Sequence, residues 1–86
     1  MMTPTPPKRS FRVRFQSVGG RRILIQRDQT YELDEVGGRI WELCDGTRSA
    51  ADIAGALTQE YDVTPEQALA DVQEFVQDLK AKGLLE

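Results

Sequence analysis

The sequence predicts an α+β fold, winged-helix-like, with a three-stranded antiparallel sheet followed by three helices. Three observations carry that prediction. Residues 11–33 alternate apolar and polar side chains around two turn-forming stretches, the period of half-buried strands. Residues 34–83 instead place apolar side chains three and four apart, the period of helices. Asp34, Ser49 and Thr64, all residues that cap helices, introduce the three helical stretches.

Taken in order, Phe11-Arg12-Val13-Arg14-Phe15-Gln16 reads as the first strand, with Phe11, Val13 and Phe15 turned to the core. Gly19-Gly20 supplies the positive φ angles of a hairpin. Arg22 to Gln26 is the returning strand, Arg27-Asp28-Gln29 a second turn, and Thr30 to Leu33 a short third strand. Tyr31 and Leu33 share one face of that strand, Thr30 and Glu32 the other. Asp34 caps the first helix, with Glu35 in the first turn where the helix dipole favours an acid. Val36, Ile40, Leu43 and Cys44 form its apolar side, with Trp41 beside them. Gly37-Gly38 inside it costs about 1 kcal/mol per residue relative to alanine, which implies that a backbone or a bulky side chain packs closely there. Asp45-Gly46 closes it.

Ser49 with Asp52 has the form of a capping box, and Ile53, Ala54, Leu57 and Tyr61 line one face of the second helix. Thr64-Pro65-Glu66-Gln67 opens the third, with proline at the first helical position. Ala68, Leu69, Val72, Phe75, Val76 and Leu79 then run as one apolar stripe, flanked by Asp71, Glu74 and Asp78. Gly83 stops the helix, and Leu84-Leu85 folds back onto the core.

The bulk properties exclude several function classes. A chain of 86 residues buries only about 60% of its unfolded surface and holds one small core, with no room for a deep substrate cleft as well. We read residues 1–10 as a flexible Pro-rich arm and 11–86 as a single domain. There is no histidine, so the commonest general base and the commonest metal ligand are both missing. Cys44 is alone, which excludes an intrachain disulfide and a cysteine metal cluster. No apolar run reaches the roughly 20 residues that span a bilayer, and no signal-peptide core begins the chain, so a cytoplasmic protein with no membrane contact is expected. We expect no enzyme activity, no catalytic residue, no metal and no cofactor.

Charge is divided along the chain. Residues 1–27 carry seven cations and no acid, whereas residues 28–86 carry all fourteen acids against Arg39, Arg48, Lys80 and Lys82. Either the halves neutralise each other in the fold, or they form two faces that steer partners of opposite sign. One hypothesis is that the basic half docks on an acidic surface of a partner enzyme. Three chemical readings of individual residues compare poorly with structural ones. Asp71, Glu74 and Asp78 lie together on a helix surface, but with no histidine or second carboxylate cluster they read as a solvated acidic face. Cys44 sits on an apolar helix face without a base, so it reads as a packed thiol. Gly19-Gly20 lacks the spacing of a phosphate-binding loop and is a turn.

The alternative function is a winged-helix DNA-binding transcriptional regulator using Arg12, Arg14, Arg21 and Arg22. It meets an obstacle in the third helix, whose outer acids repel phosphate. The third strand offers a different use. As the edge of a meander it has unpaired backbone groups. A third helix alongside would complete a groove into which an extended peptide adds as a fourth strand. The same edge, or the N-terminal arm, could pair two copies into a homodimer.

The run Leu33-Asp34-Glu35-Val36-Gly37 through Ile40-Trp41-Glu42-Leu43-Cys44-Asp45-Gly46-Thr47-Arg48-Ser49 resembles the PqqD family, named for pyrroloquinoline quinone biosynthesis protein D. Ile53, Tyr61, Val63 and the helix from Asp71 to Leu79, ending Gly83-Leu84-Leu85, extend the likeness over roughly residues 11–86. Members are similar to the precursor-peptide recognition elements of ribosomally made, modified peptides, including stand-alone lasso-peptide types. The resemblance implies that a leader peptide adds antiparallel to the third strand, against the third helix, and is delivered to a modifying enzyme or leader peptidase. Carried over by position, the wall would be Thr30, Tyr31, Glu32 and Leu33 facing Val72, Phe75, Val76 and Leu79, with Asp71 and Asp78 at the rim.

Overall fold

The structure is a computed structural model and describes residues 6–86. Its elements are β1 (Arg14–Val18), β2 (Arg21–Gln26), β3 (Gln29–Leu33), α1 (Glu35–Leu43), α2 (Ala50–Glu60) and α3 (Pro65–Ala81). The strands form one antiparallel sheet in the order β1-β2-β3, and the three helices follow, as the sequence predicts.

Both hairpins turn on two residues. Gly19 and Gly20 have φ of 57° and 81°, so Val18 pairs with Arg21 and the register runs back to Arg14 opposite Ile25. That turn moves the first strand from its expected place at 11–16. Phe11 and Arg12 instead form a turn, with the Val13 N–H donating to the Ser10 carbonyl at 3.1 Å. Phe11 is therefore 84% exposed, a correction to its expected core position. Phe15 does share a face with Leu24 and Tyr31, but it is 41% exposed because it lies outside the cluster that Leu24 forms with the helices and against which Tyr31 packs. Of the three residues expected inside, Val13 alone packs against the core.

In the second hairpin Arg27 takes φ of 57°. A side chain in that left-handed region costs on the order of 1 kcal/mol. Arg27→Gly removes the strain, partly offset by a more mobile unfolded chain. We expect a gain of about 0.5 kcal/mol and a thermal midpoint higher by about 2–4 °C. Arg27→Val, whose branched Cβ suits this region worse, should lower it. A lower midpoint with glycine would show that the turn is not strained.

Local chemistry explains the helix ends. Asp34 accepts from the Gly37 N–H at 2.6 Å, and Ser49 and Asp52 exchange both bonds of the capping box at 3.1 Å each. Thr64 accepts from the Gln67 N–H at 3.2 Å, while the Gln67 amide turns away to Asp71 at 2.8 Å. At the far end of α3, Gly83 adopts φ of 78°, and the Gly83 and Leu84 N–H groups donate to the Lys80 and Leu79 carbonyls at 3.1 and 2.9 Å. This Schellman closure reverses the chain and drives Leu84 and Leu85 into the core, where they are 0% and 4% exposed.

The core lies between β2 and the helices. Leu24 belongs to one buried cluster with Ile40, Trp41 and Leu43 of α1, Ile53 and Leu57 of α2, and Val72 and Leu79 of α3. The expectation of a flexible arm over residues 1–10 meets a different finding at 7–10. Pro7 is buried, and the Arg9, Ser10, Gly46 and Glu86 N–H groups donate to the carbonyls of Cys44, Leu84, Pro7 and Lys8 at 2.7–3.1 Å. The Arg9 guanidinium also donates to the Trp41 and Glu42 carbonyls at 3.0 and 2.6 Å, closing the C-terminal end of α1. Proline composition signals extended backbone, and here that backbone is pinned between the α1 exit and the C-terminal tail. Residues 1–5 of the expected arm lie outside the described residues.

Candidate functional site

A ladder closed by a two-residue hairpin has a fixed hydrogen-bond alternation. Gln26 and Gln29 are the closing pair, so Leu24↔Tyr31 and Arg22↔Leu33 are also bonded pairs. The backbone groups of Thr30 and Glu32 therefore point away from β2, along the free edge of β3. Their side chains point to the sheet's open face, where Glu32 pairs with Arg21 at 2.6 Å. That guanidinium holds the Glu32 carboxyl below its ordinary range, mainly through the hydrogen bond between them. Tyr31 and Leu33 face the other way, half-buried, and pack against the core.

α3 lies across from this edge. The Lys82 ammonium sits 5.3 Å from the centre of the Tyr31 ring. At the other end, the space beside Gly37 is bounded by the Asp34 carboxylate, the Phe75 ring and Leu33. Strand β3 and helix α3 therefore run in opposite directions. Gly37 and Gly38 meet the close approach that their sequence implies. A Cβ on Gly37 would lie 2.9 Å from Asp34 Oδ1 and 3.4 Å from Phe75 Cε2, and one on Gly38 would run into the Arg22 side chain.

An open groove of about 740 Å³ lies between the start of α1 and α3. Val36, Gly37, Ile40 and Phe75 give it an apolar floor, and Asp34, Asp71, Glu74 and Asp78 rim it, with Gln77 between. Of the expected wall, Phe75, Asp71 and Asp78 come together here. Val76 is half-buried and packs against the core, outside the lining of the groove. Val72 and Leu79 are 0% and 3% exposed, so they seat α3 on the core and leave no side-chain surface for a ligand. The α1 residues of the groove, Asp34, Val36, Gly37 and Ile40, were not among the residues expected from sequence, nor were Glu74 and Gln77. The glycine pair was the signal available for them.

The groove offers a ligand apolar contact on its floor and carboxylates on its rim. Among the described residues no group of three or more His, Cys, Asp or Glu is placed to hold a metal. Cys44 is 0% exposed, and its thiol is pushed up to about 11, chiefly by burial, with Arg9 pulling against the shift and Asp45 adding to it. The folded state thus holds this proton more tightly than the unfolded chain, whose thiol titrates at about 8.5. Stability is complete below that value and declines as pH rises towards about 11. Urea unfolding between about pH 8 and about pH 11 should show a steeper loss in the wild type than in Cys44→Ala. Equal slopes would show that the thiol is not held neutral.

The charge division survives folding. Of the ion pairs among the described residues, Arg21–Glu32 alone joins the basic to the acidic half, while Arg39–Glu60, Arg39–Glu42, Arg48–Asp45 and Lys82–Asp78 lie within the acidic half. No helix of the described residues is long and apolar enough to cross a membrane.

Residues 21–85 match the sequence model of the family described as coenzyme PQQ synthesis protein D (PqqD). The chain belongs to the PqqD family. The matched span takes in β2, β3, all three helices and the C-terminal turn, the parts that build the groove. The chain is 32% identical over 78 residues to the bifunctional coenzyme PQQ synthesis protein C/D of Methylorubrum extorquens, covering 91% of this chain and 21% of that protein. It is 32% identical over 77 residues to the PqqA binding protein of Rhodopseudomonas palustris, covering 90% of this chain and 76% of that one.

Solved structures agree. TbiB1 in complex with the TbiA(β) leader peptide superposes with a TM-score of 0.80 at 30% identity, covering 92% of this chain and 94% of that one. The PqqD part of Methylobacterium extorquens PqqCD, a stand-alone recognition element for ribosomally synthesised and modified peptides, gives 0.79 at 28% identity, with coverage of 93% and 87%. A lasso peptide synthetase B1 complexed with its leader peptide shares the fold, with a TM-score of 0.83 at 22% identity over 94% of this chain and 98% of that one.

Proposed function

We propose that this chain binds the leader segment of a ribosomally made precursor peptide by strand addition to β3, against α3, and delivers it to a modifying enzyme or leader peptidase. The pathway is one of peptide natural-product or quinone-cofactor biosynthesis, in the cytoplasm, and this chain's own part in it is not enzymatic. The observation that carries the reading is the free edge of Thr30 and Glu32 beside a groove with an apolar floor, in a chain of the PqqD family. Thr30 and Glu32 contribute backbone groups, Tyr31 and Leu33 support the strand from beneath, and Phe75 and Val76 meet the leader's side chains. Each backbone hydrogen bond contributes about 0.5–1.5 kcal/mol net. Several such bonds with one or two apolar anchors give dissociation constants on the order of micromolar.

The DNA-binding alternative fits the geometry poorly. Asp71, Glu74 and Asp78 occupy the outer side of α3, the helix that would have to approach phosphates. The test is a titration of the protein into the fluorescently labelled leader of the precursor encoded beside its gene, followed by anisotropy at low and moderate salt. Saturable binding that survives the added salt supports leader recognition. Duplex DNA binding that collapses with salt, and no leader binding, would replace it with the regulator.

A further inference from the structure

The α1–α3 groove carries a chemical demand that strand addition alone does not set. We propose that the leader segment filling it presents a lysine or arginine, whose aliphatic stem lies on Phe75 and whose cation is received by Asp71, Glu74 and Asp78. This rests on the leader-binding reading and names the side-chain class that the groove selects.

The groove itself points to a side chain of mixed character. Its floor is apolar where Gly37 leaves the Phe75 ring uncovered, and no basic residue lines it. Asp71, Glu74 and Asp78 stand three, four and seven positions apart, so α3 aims all three carboxylates along one rim. Their present partners leave them short of positive charge. Asp71 accepts from the neutral Gln67 amide at 2.8 Å, and Asp78 pairs with the exposed Lys82 at 2.9 Å. Glu74 has neither a side-chain hydrogen bond nor an ion pair among the described residues. Asp34, on the opposite wall, is occupied in capping α1 through the Gly37 N–H.

A wholly apolar leader segment would strip water from these carboxylates and return nothing to them. An acidic one would add repulsion. A cation on a long apolar stem satisfies both parts of the groove, because lysine and arginine bury their methylenes while keeping the charge at the rim. The ring of Phe75 adds a face that attracts a cation. Binding would also relieve the repulsion among three like charges on one helix face. One seated cation makes leader affinity mildly salt-dependent, well short of the many-phosphate dependence of DNA.

The experiment uses the full chain and the labelled leader encoded beside its gene. Each lysine of the leader is replaced in turn by norleucine and each arginine by citrulline, which keep the stem and remove the charge. Affinities are measured for the wild type and for a variant combining Asp71→Asn, Glu74→Gln and Asp78→Asn. We expect one replacement to weaken wild-type binding by about tenfold, and the neutralised variant to lose the distinction, both leaders binding it within about twofold. A Glu74→Lys variant should then prefer a leader with glutamate at that same position. If the parent leader binds and every neutral replacement stays within about twofold, the cation proposal is overturned while leader recognition stands. If the parent leader does not bind at all, both fall. Replacement on the leader leaves the protein's folding untouched, so no loss can come from an unfolded variant. Self-association that disappears in the neutralised variant, with leader affinity indifferent to charge, would assign the groove to the basic strands of a second copy and overturn the proposal.

Discussion

Leu84→Ala should remove about 3–4 kcal/mol of stability and lower the thermal midpoint by about 12–32 °C. Leu84 is 0% exposed although it lies two residues from the end of the sequence. Its N–H is held by the Leu79 carbonyl at 2.9 Å and its own carbonyl accepts from the Ser10 N–H at 3.1 Å. The backbone on both sides is thus fixed, so the space left by truncation cannot close by a shift of the tail. A residue in such a place is charged both the lost transfer energy and the cavity term. The loss is large against a domain whose total stability is on the order of 5–10 kcal/mol. Urea unfolding of Leu84→Ala beside the exposed control Lys80→Ala measures it. A loss under about 1 kcal/mol would mean that the tail does not pack against the core in solution.

How much of this was legible in the sequence follows from the range of the interactions involved. Helix starts depend on a residue and its neighbour three positions on, so Asp34, Ser49 and Thr64 announce them locally. The reversal at Gly83 is equally local. The start of the first strand is not legible locally, because Phe11-Val13-Phe15 alternates just as well as the strand at Arg14–Val18. The register is decided instead by the closing pair Val18↔Arg21 and by which part of the sheet the helices cover. Pinning of residues 7–10 depends on contacts with residues 44–46 and 84–86, which no local pattern can report.

The groove was half legible for a related reason. Along α3 the apolar positions form one continuous stripe, and only the packing of α1 and α2 divides it. Val72 and Leu79 go inward while Phe75 remains at the groove. Gly37-Gly38 did report a close approach, but the identity of the neighbours, Phe75 on one side and Arg22 on the other, required the fold. The edge of β3, by contrast, follows from element order alone, because the last strand of a meander has one free side.

That edge makes the strongest test of strand addition. Glu32→Pro should weaken leader binding by at least about tenfold while leaving the thermal midpoint nearly unchanged. The alternation from the Gln26↔Gln29 pair aims the Glu32 N–H out of the sheet, so proline there removes no bond of the β2–β3 ladder. Proline is tolerated at an edge position of this kind. The lost Glu32–Arg21 pair is exposed on the far face and contributes little to the fold. An incoming strand, however, would lose a donor and meet the proline ring where its backbone must approach. Glu32→Ala keeps the N–H and removes the carboxylate, so it should bind the leader like the wild type. Proline at position 31 would act oppositely, because the Tyr31 N–H faces Leu24 inside the sheet, and Tyr31→Pro should unfold the hairpin. If Glu32→Pro binds the leader as tightly as Glu32→Ala, the peptide does not add to β3, and the groove on α3 must hold it through side chains alone.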